Sequence, residues 1–360
     1  MKCDTYARFA LSVHEFRTHF SGAEEFSGNK KRGYTPKILR NAYAWSGEFG
    51  GEGTKIAVIS AFDNVAVVEN VRVFCQVFNL PFPNITTHYP FGRAQSTSRK
   101  WLTESSLDAQ WAHVFAPGAD IDVVFSPDAS VKNLLSCARY ADSELSADVI
   151  CMCFGSDETG LDEELSEIIK SQRGIFVSSS GDVGGRVSFP STSPYCVSVG
   201  GTSLKLSESG ERLSETAWQN TGGGASSVFH IPPYQGRFYN IYGEADGMRG
   251  TPDISMNANF SPGAVVYISS LGGWTTVGGT SLSAACFSGI CACIKQAHPE
   301  LITSSDILSF LYSKAGTSGY EIPQYNYKDI TFGRSGEFFA KEGWDFCTGL
   351  GSPVIRRILL

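Results

Sequence analysis

Short apolar runs alternate along the chain with longer stretches in which apolar residues recur at helical spacing. The runs predicted as buried strands cover residues 55–60, 121–125, 148–155, 174–181 and 195–201. The helical patterns cover residues 64–79, 103–116, 130–144, 161–173 and 282–297. This alternation predicts an α/β fold with a doubly wound, mainly parallel sheet and helices on both of its faces. Functional side chains are then expected beyond the carboxyl ends of the strands.

Residues 1–33 are polar and irregular, and we interpret them as an N-terminal extension that packs onto the main body or stays mobile. They contain no continuous apolar stretch of signal-peptide length, which favours a cytoplasmic chain over a secreted one. Thr35 and Pro36 predict the start of a helix, with Thr35 as its N-cap. No fixed-period repeat or low-complexity linker follows, so residues 34–360 are predicted to form one domain.

The composition argues against two classes of binding partner, nucleic acids and membranes. The 360 residues carry a net charge of −7 at pH 7, which argues against nucleic-acid binding. No block of lysine and arginine marks a membrane-binding surface, and no apolar stretch is long enough to cross a bilayer. The chain has ten cysteines, most of them inside predicted strands and helices, which favours reduced thiols in the core over disulfides.

The candidate chemistry centres on Ser281. Gly278 and Gly279 allow a sharp turn before it, and an apolar run that is typical of a buried helix follows at once. A serine at that place is surrounded by the free N–H groups and the positive end of a helix, which favour negative charge on a reacting oxygen. The alternative is that Ser281 only caps the helix. A second Gly-Gly-Thr-Ser ends at Ser203, but the alternating pattern after it predicts a strand.

A base for Ser281 is more readily found among carboxylates than among histidines. None of the six histidines lies in a glycine-flanked turn at a strand end, which disfavours a Ser-His-Asp enzyme. Glu104 and Asp108 are four residues apart in a helix predicted to begin with Thr103 as its cap. That spacing places both acids on the face that carries Trp111 and Phe115. The opposite face carries Ser106, Gln110 and His113 and is predicted to be polar.

Two carboxylates held together in a partly apolar site cannot both ionise freely, so one pKa is expected to rise. Glu104 is then suited to accept the proton of Ser281, with Asp108 orienting Glu104. Asp182 lies between glycines after the predicted strand 174–181, where a protonated carboxyl could donate a hydrogen bond to an oxyanion. The alternative for Asp182 is a turn-forming aspartate.

These stretches, taken together, resemble the sedolisin family, the serine-carboxyl peptidases with a subtilisin-like fold. The matching segments are ESSLDAQWAHVFAPGADI at 104–121, SSGDVGG at 179–185, FPSTSPYCVSVGGTSL at 189–204, RGTPDISMNA at 249–258 and VGGTSLSAA at 277–285. The resemblance runs from Tyr34 to Pro353 and keeps the family's order of motifs. It implies that Glu104, Asp108 and Ser281 match the family's triad and that Asp182 matches its oxyanion-hole aspartate.

The resemblance also implies a Ca²⁺ site in the C-terminal part of the domain, where carboxylates and carbonyls supply the hard oxygen ligands that this ion takes. By that match, Asp329 and Asp345 bind through their side chains and Ile330, Lys341 and Gly343 through their carbonyls. Family members usually carry glycine where Lys341 stands, and a carbonyl is available from any residue.

The sequence therefore predicts a serine-type endopeptidase that hydrolyses peptides or proteins through an acyl-enzyme, as a monomer and at acid pH. The alternative from another class is a catalytically quiet relative that binds peptides or a protein partner through the same cleft. A third hypothesis, a subtilisin-like or other α/β hydrolase with a histidine base, is disfavoured by the placement of the histidines.

Overall fold

An eight-stranded sheet with seven parallel strands forms the centre of the computed structural model. The structure describes residues 33–160, 162–170, 173–316 and 325–360, together with the backbone of two short strands, Arg8–Phe9 and Ser12–His14. The rest of the predicted N-terminal extension lies outside the described residues.

The sheet is made of strands that are mostly buried and rich in β-branched residues, as parallel strands covered on both faces must be. They are β1 (Lys55–Ala61), β2 (Ile85–His88), β3 (Asp120–Ser126), β4 (Val149–Met152), β5 (Ile175–Ser179), β6 (Cys196–Leu206), β7 (Arg212–Ala217) and β8 (Ile254–Asn257). Their order is β7-β6-β5-β4-β1-β3-β2, with β8 parallel to β6 and β7 antiparallel to it.

Helices cover both faces of this sheet. The longer ones are α1 (Pro36–Ala42), α2 (Val67–Phe78), α3 (Arg99–Phe115), α4 (Val131–Ser143), α5 (Thr280–Ala297) and α6 (Ser304–Lys314). Alternate residues of β1 belong to different cores, because successive side chains of a strand point to opposite faces. Ile56 packs in the core that contains α3 and α5, and Ala57 packs in the core that contains α4. The predicted doubly wound α/β fold is confirmed.

Shorter elements complete the described chain. The short helices are Asp162–Ser166, Pro233–Gly236, Tyr239–Glu244 and Ile355–Ile358, with 3-10 turns at Glu167–Ile169 and Ser269–Leu271. The remaining strands are Phe154–Gly155, Gly224–His230, Met248–Thr251, Ala264–Ile268, Gly273–Gly278, Tyr327–Lys328, Arg334–Ser335, Phe338–Phe339 and Ser352–Pro353. No helix among the described residues is long and apolar enough to cross a membrane.

Helix α3 differs from its sequence prediction in two respects. It begins at Arg99 after Ser98, so Thr103 lies inside the helix and the prediction of Thr103 as its cap is wrong. Its predicted polar face is also wrong, because residues 103–115 are all buried. Gln110 accounts for part of this burial: its amide donates to the Tyr267 carbonyl at 2.8 Å and accepts from the Tyr267 N–H at 3.0 Å.

The nine cysteines that the structure describes are buried and unpaired, as predicted for reduced core thiols. The tenth, Cys3, lies outside the described residues. The predicted strand 148–155 is broken into β4 and Phe154–Gly155, with Cys151 inside β4 and Cys153 at the break. That break falls at the carboxyl end of β4, directly beside the start of α5.

Candidate active site

The start of α5 presents Ser281 to the centre of the molecule. The helix begins at Thr280 with Gly279 as its N-cap, so Ser281 is the second residue of its first turn and the capping alternative is wrong. A Cβ on Gly278 would lie 2.6 Å from the carbonyl oxygen of Ala258, so only glycine fits at the entry to the helix. The Ser281 hydroxyl is buried and donates to the Cys153 carbonyl at 3.4 Å, while the Cys153 thiol donates to the Ser281 carbonyl at 3.4 Å.

Glu104 and Asp108 reach the same place from α3. The two helices can approach closely because Gly289 in α5 has no side chain, and a Cβ there would lie 2.4 Å from the Ala112 carbonyl oxygen. Both carboxyl groups have no solvent exposure, and neither makes a hydrogen bond of ordinary geometry with a described residue. No lysine, arginine or histidine among the described side chains forms an ion pair with either of them.

The electrostatics of this pair follow from burial without a countercharge. Burial raises the pKa of Glu104 well above its ordinary 4.5, the Asp108 carboxyl raises it further, and the nearby Ser281 hydroxyl lowers it. Burial likewise raises the pKa of Asp108, and the nearby Cys153 thiol acts to lower it. A carboxyl whose pKa is raised in this way is a stronger base when ionised, and it holds an accepted proton nearer to neutral pH.

Asp182 completes the group at the end of β5. Its Oδ1 accepts hydrogen bonds from the N–H of Thr280 at 2.8 Å and from the Thr280 hydroxyl at 2.9 Å. Its Oδ2 is buried and makes no hydrogen bond among the described residues. Burial raises the pKa of Asp182 to about 7, although the two hydrogen bonds from Thr280 act to lower it. A proton on Oδ2 is therefore available for donation below neutral pH.

Sequence reasoning missed Thr280 and Cys153, although both touch the predicted residues directly. Besides holding Asp182, the Thr280 hydroxyl accepts from the Gly181 N–H at 3.1 Å and so ties the Asp182 loop to α5. Its position inside Gly-Gly-Thr-Ser was the available signal. For Cys153 the signal was its place at the carboxyl end of β4, where site residues gather.

The other serine and the histidines lie elsewhere. Ser203 is in β6, and its hydroxyl accepts from the Asn259 amide at 3.0 Å. His88 pairs with Asp122, His113 with the Pro81 carbonyl, and His298 with Glu300, while His230 is exposed at the end of its strand. The side chains of His14 and His19 lie outside the described residues.

The two carboxylates predicted to bind Ca²⁺, those of Asp329 and Asp345, lie near one another in a separate place, in the C-terminal loops. The Asp329 carboxylate accepts from the Gly343 N–H at 2.8 Å, and the Asp345 carboxylate accepts from the Lys341 N–H at 3.0 Å. Gly343 has a φ of 84°, which a residue with a side chain rarely adopts. Ile330 is buried beside Asp329.

The donor set at this second place fits a hard divalent cation. Burial raises the pKa of Asp345 to about 7, hydrogen bonds from the N–H groups of Lys341, Thr348 and Cys347 lower it, and the neighbouring Asp329 raises it. Burial also raises the pKa of Asp329. A buried and a half-buried carboxylate that lie near one another are better stabilised by a bound cation than by each other. The Lys341 ammonium is directed away, to Glu244.

Known proteins that are similar to this chain include subtilases and serine-carboxyl peptidases. A sequence profile of the Subtilase family matches residues 102–344. Kumamolisin from Bacillus sp. (strain MN-32) is 29% identical over 91% of this chain, and tripeptidyl-peptidase 1 from Mus musculus is 27% identical over 91%. The chain spans only 63% and 64% of the lengths of these two relatives.

A solved structure gives the same fold. Pseudomonas sedolisin, a serine-carboxyl proteinase complexed with two molecules of pseudo-iodotyrostatin, superposes with a TM-score of 0.80. The match covers 92% of this chain and 98% of the sedolisin chain at 24% sequence identity. The subtilisin-like architecture predicted from the sequence is thereby confirmed.

Proposed function

The chain belongs to the subtilase family and is similar to kumamolisin and sedolisin, and we propose that it is a serine-carboxyl peptidase. The observation that carries this proposal is the buried pair of Glu104 and Asp108 beside the Ser281 hydroxyl, with no cation paired to either carboxyl among the described side chains. A buried acid pair of this kind costs stability, and its chemistry suits the activation of a nucleophile.

In the proposed reaction Ser281 attacks the scissile carbonyl while its proton passes to Glu104. Glu104 then gives the proton to the leaving amine, and the acyl-enzyme is hydrolysed by water that Glu104 deprotonates in turn. Asp108 positions Glu104 and raises its pKa, so that the accepted proton is held until the amine leaves. Asp182, protonated on Oδ2, donates a hydrogen bond to the developing oxyanion.

Next to this site lies a short strand whose edge could form main-chain hydrogen bonds with an extended substrate. The strand Phe154–Gly155 follows Cys153 directly and forms an antiparallel pair with Arg8–Phe9 of the same chain. We propose that an extended peptide substrate takes this edge in place of Arg8–Phe9, through main-chain hydrogen bonds that are indifferent to side-chain identity. Substrates are then peptides or unfolded proteins, and the enzyme acts as an endopeptidase.

In the same proposal, Asp329 and Asp345 bind Ca²⁺ through their side chains and Ile330, Lys341 and Gly343 do so through carbonyls. The proximity of the buried Asp345 carboxyl to the half-buried Asp329 carboxyl, and the raised pKa of each, support it. The ion supplies positive charge that holds the C-terminal loops of the domain formed by residues 34–360, and it takes no part in peptide hydrolysis.

The test is hydrolysis of a mixed peptide library between pH 3 and pH 8 by the wild type and by Ser281→Ala, Glu104→Ala and Ser203→Ala. We expect the wild type to cleave peptides in acid and Ser281→Ala to lose this cleavage. Glu104→Ala, which lacks the proposed base, should cleave more slowly than the wild type by on the order of 10²–10⁴-fold. Ser203→Ala is the matched control from the second Gly-Gly-Thr-Ser and should cleave like the wild type.

The product pattern separates internal cleavage from the release of tripeptides, which the name of the mouse relative suggests as the alternative specificity. No cleavage by folded protein in the presence of Ca²⁺ would instead favour the catalytically quiet, peptide-binding alternative. Activity that persists in Glu104→Ala would contradict the proposed base.

A further inference from the structure

Three side chains that the proposed reaction leaves partly unexplained meet beneath the active site. They are Asp108 of α3, Cys151 of β4 and Cys153 just beyond β4, and their ligand atoms all lie within 4.8 Å of one another. Cys151 and Cys153 are two residues apart along an extended chain, so their side chains share a face. Their sulfur atoms are 3.5 Å apart. Nothing in the chemistry of a serine nucleophile calls for two thiols at this point.

The Asp108 carboxyl is directed into this group and has no exposure to solvent. Neither of its oxygens makes a hydrogen bond of ordinary geometry with a described residue. A buried carboxylate with such weak partners retains most of its capacity to bind a cation.

We propose that Asp108, Cys151 and Cys153 form a binding site for a thiophilic divalent cation such as Zn²⁺ or Cd²⁺. Thiolates at about 2.3 Å from a tetrahedral zinc ion lie roughly 3.8 Å apart, close to the observed separation of the two sulfur atoms. Two thiolates and one carboxylate are a donor set that a soft or borderline ion prefers over Ca²⁺. Binding converts both thiols to thiolates and Asp108 to its carboxylate, and the protons that these three groups carried are released to solvent.

The consequence of binding rests on the proposed peptidase function. An ion held by Asp108 removes that carboxylate from its place beside Glu104 and puts positive charge next to the base. Glu104 then binds the serine proton less tightly, so hydrolysis stops while the ion is bound. This site is distinct from the proposed Ca²⁺ site, whose ligands are all oxygens, and the two ions have opposite effects: Ca²⁺ stabilises the fold and the thiophilic ion inhibits.

The binding test uses the purified full chain at neutral pH with Ca²⁺ present, titrated with Cd²⁺ while the ultraviolet charge-transfer band of cadmium thiolate is recorded. We expect one equivalent in the wild type and at least a tenfold weaker affinity in Cys151→Ser and in Cys153→Ser. Cys137→Ser is the matched control, because Cys137 is a buried thiol in the other core of the sheet, and it should keep the band. A band that persists in both site variants, or no band in the wild type, would overturn the site.

A second measurement needs no variant and so does not depend on whether the substitutions fold. X-ray absorption at the zinc edge of the wild-type protein should give two sulfur ligands with oxygen completing the shell, and an all-oxygen or all-sulfur shell would contradict the proposal. Peptide hydrolysis with and without Zn²⁺ then tests the consequence. Hydrolysis that saturating Zn²⁺ leaves unchanged overturns the inhibition. If the protein shows the cadmium-thiolate band but cleaves no peptide, the metal site is supported and the proposed peptidase function is contradicted.

Discussion

Asp182 joins the nucleophile's helix to the end of β5 through its two hydrogen bonds from Thr280. Both bonds go to Oδ1, so the second oxygen is left for a proton. The buried position raises the pKa of this carboxyl to about 7, which keeps it a hydrogen-bond donor in acid and converts it to an acceptor above neutrality. One residue thereby sets the pH above which the proposed oxyanion hole fails.

Replacing Asp182 with asparagine should separate the hydrogen bond from its titration. The amide oxygen of asparagine can still accept from Thr280, and its NH₂ group donates at every pH. We expect wild-type kcat/KM to fall as the pH rises through about 7 and the corresponding limb to be absent in Asp182→Asn. A pH–rate profile from pH 3 to pH 9 checks this, with Thr280→Ser as a control that keeps the hydroxyl. An unchanged alkaline limb in Asp182→Asn would assign that limb to another group.

The ionisation of Glu104 should affect the stability of the folded protein as well as its activity. Its pKa is raised in the folded protein, so the folded state binds the proton more tightly than the unfolded state does. The stabilisation from this proton is complete below about pH 4.5, the ordinary pKa of a glutamate, and is lost as the pH rises through the folded pKa. Glu104→Gln cannot ionise, so its Tm relative to the wild type should be higher at pH 8 than at pH 4. An offset in Tm that is independent of pH would contradict the raised pKa.

At the scale of elements, the site depends on how closely α3 and α5 approach. Gly289 is where they touch, since a Cβ there would meet the Ala112 carbonyl at 2.4 Å and the Phe115 Cβ at 2.9 Å. The Cys293 thiol of α5 also donates to the Phe115 carbonyl at 3.1 Å. The distance between Ser281 and Glu104 is thus controlled about two turns away from the chemistry.

Gly289→Ala should therefore push the two helices apart. We expect a loss of about 1–3 kcal/mol in the free energy of unfolding, together with a lower kcat because Glu104 moves away from Ser281. Gly243→Ala is the control: Gly243 is also helical, a Cβ there meets nothing within 4 Å, and the substitution should be neutral or stabilise by up to about 1 kcal/mol. Equal effects of the two substitutions on Tm, measured by thermal unfolding, would show that the contact at Gly289 is unimportant.

Element types were predictable from the sequence where periodicity and burial agree. The predicted strand at 55–60 and helix at 130–144 differ from β1 and α4 by no more than one residue at each end. The predicted strand at 195–201 was five residues too short, because β6 continues to Leu206 to pair with β7. The predicted helix at 161–173 is a short helix followed by a 3-10 turn, with residues 161, 171 and 172 outside the described part.

Helix α3 shows why a buried polar face cannot be recognised from the sequence. Gln110 and His113 are polar, and their spacing away from Trp111 and Phe115 is what an amphipathic helix facing water would have. Their partners are backbone groups of Tyr267 and Pro81, which are remote in sequence. For the candidate site, the motif spacing identified residues that the fold brings together, whereas Thr280 and Cys153 act through contacts that only the folded chain creates.

For the whole molecule, the proposed Ca²⁺ site makes stability depend on pH. The ion-free fold carries two neighbouring carboxylates, and the pKa of Asp345 is raised to about 7, so ionising it as the pH rises lowers the stability of the ion-free protein. Bound Ca²⁺ reverses this effect, since it binds the ionised form. The stabilisation by Ca²⁺ is therefore expected to grow as the pH rises through about 7.

Chelation by EDTA should lower Tm, and the decrease should be larger at pH 8 than at pH 5. Asp345→Asn is expected to lose this dependence, because an amide binds Ca²⁺ more weakly than a carboxylate does. Asp329→Asn should behave in the same way if both side chains are ligands. Differential scanning calorimetry of the wild type and both variants, with and without EDTA, checks these expectations. A wild-type Tm that does not respond to EDTA would contradict a structural Ca²⁺ site.

The most direct test of the central claim is covalent trapping of the nucleophile with a fluorophosphonate, followed by intact-protein and peptide mass spectrometry. A serine activated by Glu104 should react with one equivalent, the label should be located on Ser281, and labelling should be at least a hundredfold slower in Glu104→Gln. Ser281→Ala should not be labelled. A label on another serine, or labelling of Ser281 that is equally fast in Glu104→Gln, would contradict a serine nucleophile with a carboxylate base.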